Sequence, residues 1–141
     1  MHLGFGMIVV ELGPGKGFYT ITIAKELELG GILYAFDIKK KIIELSQKRI
    51  EKEQITNTNA RIGNAYALPF DDESVDCLFA ICCLLESPEI VRALRECYRI
   101  LKNDGLLSLC EWFPDTHYPR RKTVKRWAEE AGFELKEEFG N

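Results

Sequence analysis

The chain has 141 residues, of which 46% are hydrophobic and 29% charged, with a formal net charge of −3. That length and composition fit one globular domain with one core, expected to occupy residues 1–141, and the acid excess argues against a nonspecific nucleic-acid binder. No apolar run reaches the roughly 18 residues needed to span a bilayer, and no signal-peptide pattern opens the chain, so a cytoplasmic protein is expected. The five cysteines, at 77, 82, 83, 97 and 110, include no C-x-x-C pair. Most lie in apolar runs, which fits buried reduced thiols rather than a disulfide framework or a metal site.

Met7 to Leu12 is apolar except for Glu11, as in a parallel strand covered on both faces. Glycines then alternate at 13, 15 and 17 around Pro14 and Lys16, so the backbone can turn sharply and a ligand can come close. A helix is predicted from Phe18, with Tyr19, Ile21, Ile23, Ala24 and Leu27 on its core face and Gly30-Gly31 as its C-cap. Ile32 to Phe36 is a second buried strand that stops at Asp37, 20 residues beyond Gly17. An acid there can accept hydrogen bonds from both hydroxyls of a ribose, or cap the next helix.

That helix is predicted over Lys39 to Glu53, with Ile42, Ile43, Leu45 and Ile50 apolar, and a short strand at Ala60 to Ile62 follows. After the segment Gly63-Asn64-Ala65-Tyr66-Ala67-Leu68-Pro69-Phe70 and an acidic turn, Val75 to Leu85 forms a fourth, strongly apolar run. A helix starts at Ser87-Pro88, with a stripe of Ile90, Leu94, Cys97, Tyr98 and Leu101. A turn at Lys102 to Gly105 leads into a fifth strand, Leu106 to Trp112. Val124, Trp127, Ala128 and Ala131 mark a last helix stopped by Gly132, and Phe133 to Lys136 reads as a sixth strand. The alternation predicts an α/β, Rossmann-like, mostly parallel sheet with helices on both faces. Ligands in such sheets bind at the carboxyl ends of the strands, near the switch point of the topology.

Glu11-Leu12-Gly13-Pro14-Gly15-Lys16-Gly17 departs from the dinucleotide pattern G-x-G-x-x-G because the third glycine arrives one residue early. Read as E-x-G-x-G-x-G, it resembles the first motif of class I S-adenosylmethionine-dependent methyltransferases. Gly63 to Phe70 resembles that family's G-D-A-x-x-L-P-F, with Asn64 in place of the acid, and Arg99 to Gly105 resembles R-x-L-K-P-G-G. Phe113 to Lys122 looks like the ubiquinone/menaquinone C-methyltransferase subgroup, which acts on small molecules. The Asn/Asp-Pro-Pro-Tyr motif of amino methyltransferases is absent.

The resemblance implies in-line transfer of a methyl group from S-adenosylmethionine to a small-molecule acceptor, leaving S-adenosylhomocysteine. It implies a cofactor site lined by Glu11, Gly13, Pro14, Gly15, Gly17, Asp37, Ile38, Asn64, Ala65, Ala80 and Ile81. An asparagine carbonyl at 64 can accept from the adenine amino group as an aspartate would. Leu85 stands where a histidine is common, so any proton transfer falls to Glu86, His117 or Tyr118.

Two other readings stand beside this one: a nicotinamide-dependent oxidoreductase, and a cofactor-binding module without catalysis. The second arises because only Met1 to Gly6 precede the first strand, where the family carries covering helices, and its final antiparallel strand would begin at about Gly140. The expectation is either a minimal or truncated domain, or a homo-oligomer or partner chain that supplies the cover. Cys82 and Cys83 follow the fourth strand, where thiols can hold a soft atom such as arsenic. On an extended segment they point to opposite sides, so the expectation is one thiol in the core and one as a small apolar wall.

Overall fold

A computed structural model describes residues 3–27, 30–111 and 119–140. Among them, five strands form one all-parallel sheet in the order β3-β2-β1-β4-β5. The strands are β1 (Ile8–Leu12), β2 (Ile32–Asp37), β3 (Thr58–Ile62), β4 (Val75–Ile81) and β5 (Leu101–Cys110). The helices are α1 (Phe18–Glu26), α2 (Lys40–Lys52), α3 (Ile90–Ile100) and α4 (Arg121–Ala131). A 3-10 turn, Leu84–Glu86, follows β4. β1 is the central strand, and the chain leaves it first toward β2 and later toward β4, which puts the switch point at its carboxyl end.

Helices cover both faces because the central strands β1, β2 and β4 are apolar on both sides. On one face Val9, Leu33, Cys77 and Phe79 pack with Ala24 and Leu27 of α1 and its C-cap, and Ala35 and Ala60 with Ile43 and Ile50 of α2. On the other, Val10, Leu12, Phe36, Leu78 and Ala80 pack with Leu94, Cys97 and Ile100 of α3 and Ala131 of α4. At the amino end, Asp76 joins three strands: it accepts from the Ile8 amide and from Lys102 Nζ, each at 2.8 Å.

Several expectations from the sequence are corrected here. The Gly30-Gly31 pair does not cap α1, which ends at Glu26, because Asn57 Nδ2 donates to the carbonyls of Ala24 (2.8 Å) and Leu27 (3.3 Å). Its core face holds Thr20 rather than Tyr19, which is exposed, and α2 buries Ser46 rather than Leu45. Tyr98 lies on the α4 side of α3, its ring edge-on to Phe133 at 5.2 Å. Lys102 to Gly105 is the expected turn, yet it is a register shift inside β5, between the pairs Val75–Leu101 and Cys77–Leu106. The described residues after Gly132 form no sixth strand. Gly132 closes α4 in the left-handed region, and Phe133 turns back to donate its amide to Ala128 O at 2.9 Å. Phe133 is therefore held by the helix end, while Leu135 is exposed, and the alternation of the two makes no ladder.

Leu94 is fully buried in the larger core. Leu94→Ala is expected to lower unfolding free energy by about 2 to 5 kcal/mol, the cost of the lost methylenes and the cavity left behind, measured by urea denaturation.

Candidate functional site at the carboxyl end of the sheet

The glycine loop is built around Gly13, whose amide donates to Phe36 O of β2 at 2.8 Å. From the other side, Cys83 Sγ donates to Leu12 O at 2.9 Å. Gly13 has φ +72, and a Cβ there would lie 2.6 Å from both Cβ and Sγ of Cys83, so only glycine fits. The chain then passes through Gly15 and Gly17, also at positive φ, into α1, whose N-cap is Gly17 with no side-chain cap. The back of the loop rests on α2: Ser46 Oγ donates to Gly15 O at 2.9 Å and Arg49 Nε to Lys16 O at 2.9 Å. Arg49 also stacks over the Phe18 ring, 4.0 Å from its centre.

Glu11 is 2% exposed and pairs with the fully buried Thr20, whose hydroxyl donates to Oε2 at 2.6 Å. Burial pushes its carboxyl pKa up to about 7, against the smaller opposing effect of the Thr20 hydrogen bond.

Asp37 ends β2, and its Oδ1 accepts from the Lys39 amide at 2.8 Å, so it does shape the entry to α2. Oδ2 has no hydrogen-bond partner among the described residues. Beside it, Ile38 is 69% exposed and Ile62 57% exposed, two apolar side chains held at the surface where the sheet ends. Gly63 follows, with its amide on Asp37 O at 3.0 Å; a Cβ there would meet Phe36 Cδ1 at 2.6 Å. Asn64 is exposed, and its Oδ1 accepts from the Tyr66 amide at 2.9 Å. That carbonyl is thus partly used in a local turn, though it retains a second lone pair. Ala65 is half-buried, packed against the core.

The Asn64 loop is clamped from α3. Glu96 Oε1 accepts from the Leu68 amide at 2.8 Å, and Arg99 donates to Leu68 O, Phe70 O and Asp72 Oδ1. Tyr66 reaches Ser87 Oγ at 2.6 Å and so ties this loop to the segment after β4.

Ala80 is buried between its β1 and β5 neighbours, Leu12 and Leu109, and Ile81 is half-buried at the strand end. The next residue corrects the expectation of an extended Cys82-Cys83 pair. Cys82 has φ +53, left-handed for a side chain that rarely adopts it, while its amide still reaches Cys110 O at 2.8 Å. Cys83 is therefore turned back onto Leu12 and Gly13 as a wall. Burial, with the negative charges of Glu111, Asp37 and Glu11 and the Cys82 thiol, pushes its pKa up to about 12, so it stays a thiol. Glu86 is exposed in the turn after β4. His117 and Tyr118 lie outside the described residues.

Glu11, the glycine loop, Asp37, Ile38, Asn64, Ala65, Ala80 and Ile81 thus belong to the carboxyl-end loops and strand ends, as expected from the topology. Surface grooves elsewhere, lined by Lys16, Lys48 and Arg49 or by Arg120, Lys122 and Arg126, include none of those residues except Lys16 of the loop. Three residues escaped the sequence reading. Thr20 and Ser46 are polar residues at helix positions whose spacing to neighbouring apolar residues marks a buried face. Glu111, directly after β5, carries the same signal as Asp37 after β2: an acid closing an apolar strand.

A family model described as a methyltransferase domain matches residues 10–109. The chain is 32% identical over 128 residues to a demethylmenaquinone methyltransferase of Lactiplantibacillus plantarum, covering 90% of this chain and 54% of the relative. It is 27% identical to an arsenite methyltransferase of Halobacterium salinarum, covering 81% of this chain and 29% of the relative. The crystal structure of a SAM-dependent methyltransferase from Aquifex aeolicus superposes with a TM-score of 0.84 at 24% identity, covering 96% of this chain and 76% of that one. The chain therefore spans about half the length, or less, of these curated relatives.

The raised pKa of Glu11 makes stability depend on pH. From its ordinary 4.5 to about 7 the unfolded chain has lost this proton and the folded chain keeps it. The contribution is therefore full below pH 4.5 and is lost as pH rises through about 7. Glu11→Gln keeps an acceptor for Thr20 and removes this slope. Relative to the wild type it should gain about 2 kcal/mol in unfolding free energy between pH 5 and 7.5, measured by denaturant titration at both values.

Proposed function

Because this chain belongs to the methyltransferase domain family, whose cofactor is S-adenosylmethionine, we propose that it transfers a methyl group from that cofactor to a small-molecule acceptor. The observation that carries the reading is the charge of the site. Glu11 and Asp37 both lie within electrostatic reach of Cys83, beside the glycine loop. S-adenosylmethionine brings a sulfonium and an ammonium against one carboxylate, so it meets these acids as a net cation. A dinucleotide would bring a pyrophosphate against them, which speaks against the nicotinamide reading.

Within this proposal, residues 1–141 act as one cofactor-binding domain. The glycine loop and Glu11 take the amino-acid part, and Asp37, through the open Oδ2, takes the ribose hydroxyls. Ile38 and Ala65 flank the adenine, and Asn64 meets its amino group through the lone pair left on Oδ1. Ala80 and Ile81 form the floor, and Pro14 stiffens the loop. Bound there, the cofactor supplies an electrophilic methyl that an acceptor's nucleophile displaces in line. The chain's own contribution is orientation and proximity. Glu86, His117 and Tyr118 are the acid-base candidates carried by the resemblance.

The acceptor class follows the demethylmenaquinone methyltransferase relatives: a small molecule, with no nucleic-acid partner, in keeping with the net charge of −3. No helix among the described residues is long and apolar enough to cross a membrane, and the described cysteines are free thiols, in keeping with a cytoplasmic location. The exposed Ile38 and Ile62 are apolar surface for a cover supplied by a second copy or a partner chain.

Thermal shift with S-adenosylmethionine, S-adenosylhomocysteine and NAD tests the reading. Both adenosyl compounds should raise the melting temperature, a ligand at 100 times its Kd adding about 2.7 kcal/mol. A shift with NAD alone would falsify it. Asp37→Ala should weaken S-adenosylhomocysteine binding by about 1.5 to 3 kcal/mol, the range for a hydrogen bond to a charged group, measured by calorimetry. Unchanged affinity would remove Asp37 from the ribose.

A further inference from the structure

Glu111 is the residue immediately after β5, at the same end of the sheet as Gly13, Asp37 and Ile81. Its Oε2 is shut off from solvent and has no hydrogen-bond partner among the described residues. A buried carboxylate oxygen left without a donor forfeits the hydrogen bonds it had in water, so it calls for an explanation. The groups that bear on this region are acids and thiols. Glu86, in the turn after β4, acts on Glu111 electrostatically, and Cys83, flanked by Cys82, feels Glu111 together with Asp37 and Glu11. Burial first, and Glu86 second, hold the Glu111 carboxyl above its ordinary range. Among the described residues no cation is paired with it, their ion pairs using other carboxylates.

What would complete Oε2 is a neutral donor brought in by a ligand. The cofactor's ribose and amino-acid ends have candidate partners in Asp37 and in the glycine loop with Glu11. Glu111 stands beside the β4–β5 end, where Ile81 pairs with Cys110. We infer that Glu111 is the base that takes the hydroxyl proton of a dihydroxy-aromatic acceptor. This rests on the methyltransferase reading and deepens it. The acceptor's O–H proton passes to Oε2, and the oxygen's electron pair moves into the ring. The conjugated ring carbon bonds to the methyl as the methyl–sulfur bond breaks with its pair on sulfur. The ring carbon's own hydrogen then leaves as a proton to water, its bonding pair restoring the aromatic ring and the charge on oxygen, and Oε2 returns its proton to that oxygen. Atoms and electrons balance with no further reactant. The raised basicity of Glu111 suits the task, because a base is most effective when its pKa approaches the working pH.

The test uses the full chain, labelled S-adenosylmethionine, and reduced demethylmenaquinone as the acceptor, under anaerobic conditions. Glu111→Gln should bind S-adenosylhomocysteine within about twofold of the wild type, the scale of an ordinary surface change. Its transfer should be slower by about a hundredfold or more, with the acid limb of the wild-type pH–rate profile gone and partly restored in Glu111→Asp. Carboxyl-labelled glutamate NMR gives a readout apart from turnover. The resonance missing in Glu111→Gln should change its titration midpoint when the quinol binds the S-adenosylhomocysteine complex. Transfer within threefold of the wild type and an unchanged acid limb would overturn the proposal, as would loss of cofactor binding in Glu111→Gln. A wild type that binds the cofactor but does not methylate the quinol overturns the acceptor class and this base together. Failure of the wild type to bind S-adenosylmethionine would instead defeat the methyltransferase reading beneath it.

Discussion

Gly13 is gripped from both sides at the point where the topology divides. Its amide is bonded to β2 through Phe36 O, and the segment following β4 closes on it through Cys83, which donates to Leu12 O. No side chain can occupy the space between them, since a Cβ at Gly13 would overlap Cys83 at 2.6 Å. The central strand, its two neighbours and the turn into α1 are therefore fixed relative to one another by one backbone hydrogen bond and one thiol. The rest of the site follows from that grip. α2 can brace the loop through Ser46 and Arg49 because the loop has one position, and Glu11 can meet Thr20 because β1 and α1 leave that loop at a set angle.

The second consequence is electrostatic. Parallel strands deliver their final residues to one end of the sheet, and here three of those deliveries are acids: Glu11 within β1, Asp37 at the end of β2, and Glu111 after β5. Burial answers part of the mutual repulsion by holding protons on Glu11 and favouring the neutral form of Glu111. A site of this kind binds a cation more readily than an anion, and an arriving cation is met by carboxyls able to ionise in response. Burial, aided by the same charges, keeps Cys83 protonated, which makes it a shape element of the glycine loop and not a soft ligand.

Much of this arrangement was legible in the sequence because it depends on local signals. The apolar run to Leu12, the glycines after it, and Asp37 at the end of the next run each carry their own physical meaning, and the strand–helix alternation orders them. What was not legible depends on contacts between distant residues. Asn57 ends α1 from 30 residues away, against the local appeal of the Gly30-Gly31 pair. Cys82 bends out of the strand geometry that its apolar neighbours suggest, because the chain must bring Cys83 onto Gly13. Phe133 and Leu135 alternate like a strand, yet Phe133 is claimed by Tyr98 and the end of α4. Glu111 went unread because an acid after a strand reveals its isolation only when its surroundings are known.

The most direct test of the central claim is amide hydrogen exchange with and without S-adenosylhomocysteine. If the carboxyl end of the sheet holds the cofactor around the Gly13 grip, exchange should slow at residues 13–18, 37–39 and 63–66, with the basic face of α4 unchanged. Slowing confined to the α4 groove, or seen with NAD and not with S-adenosylhomocysteine, would contradict the account.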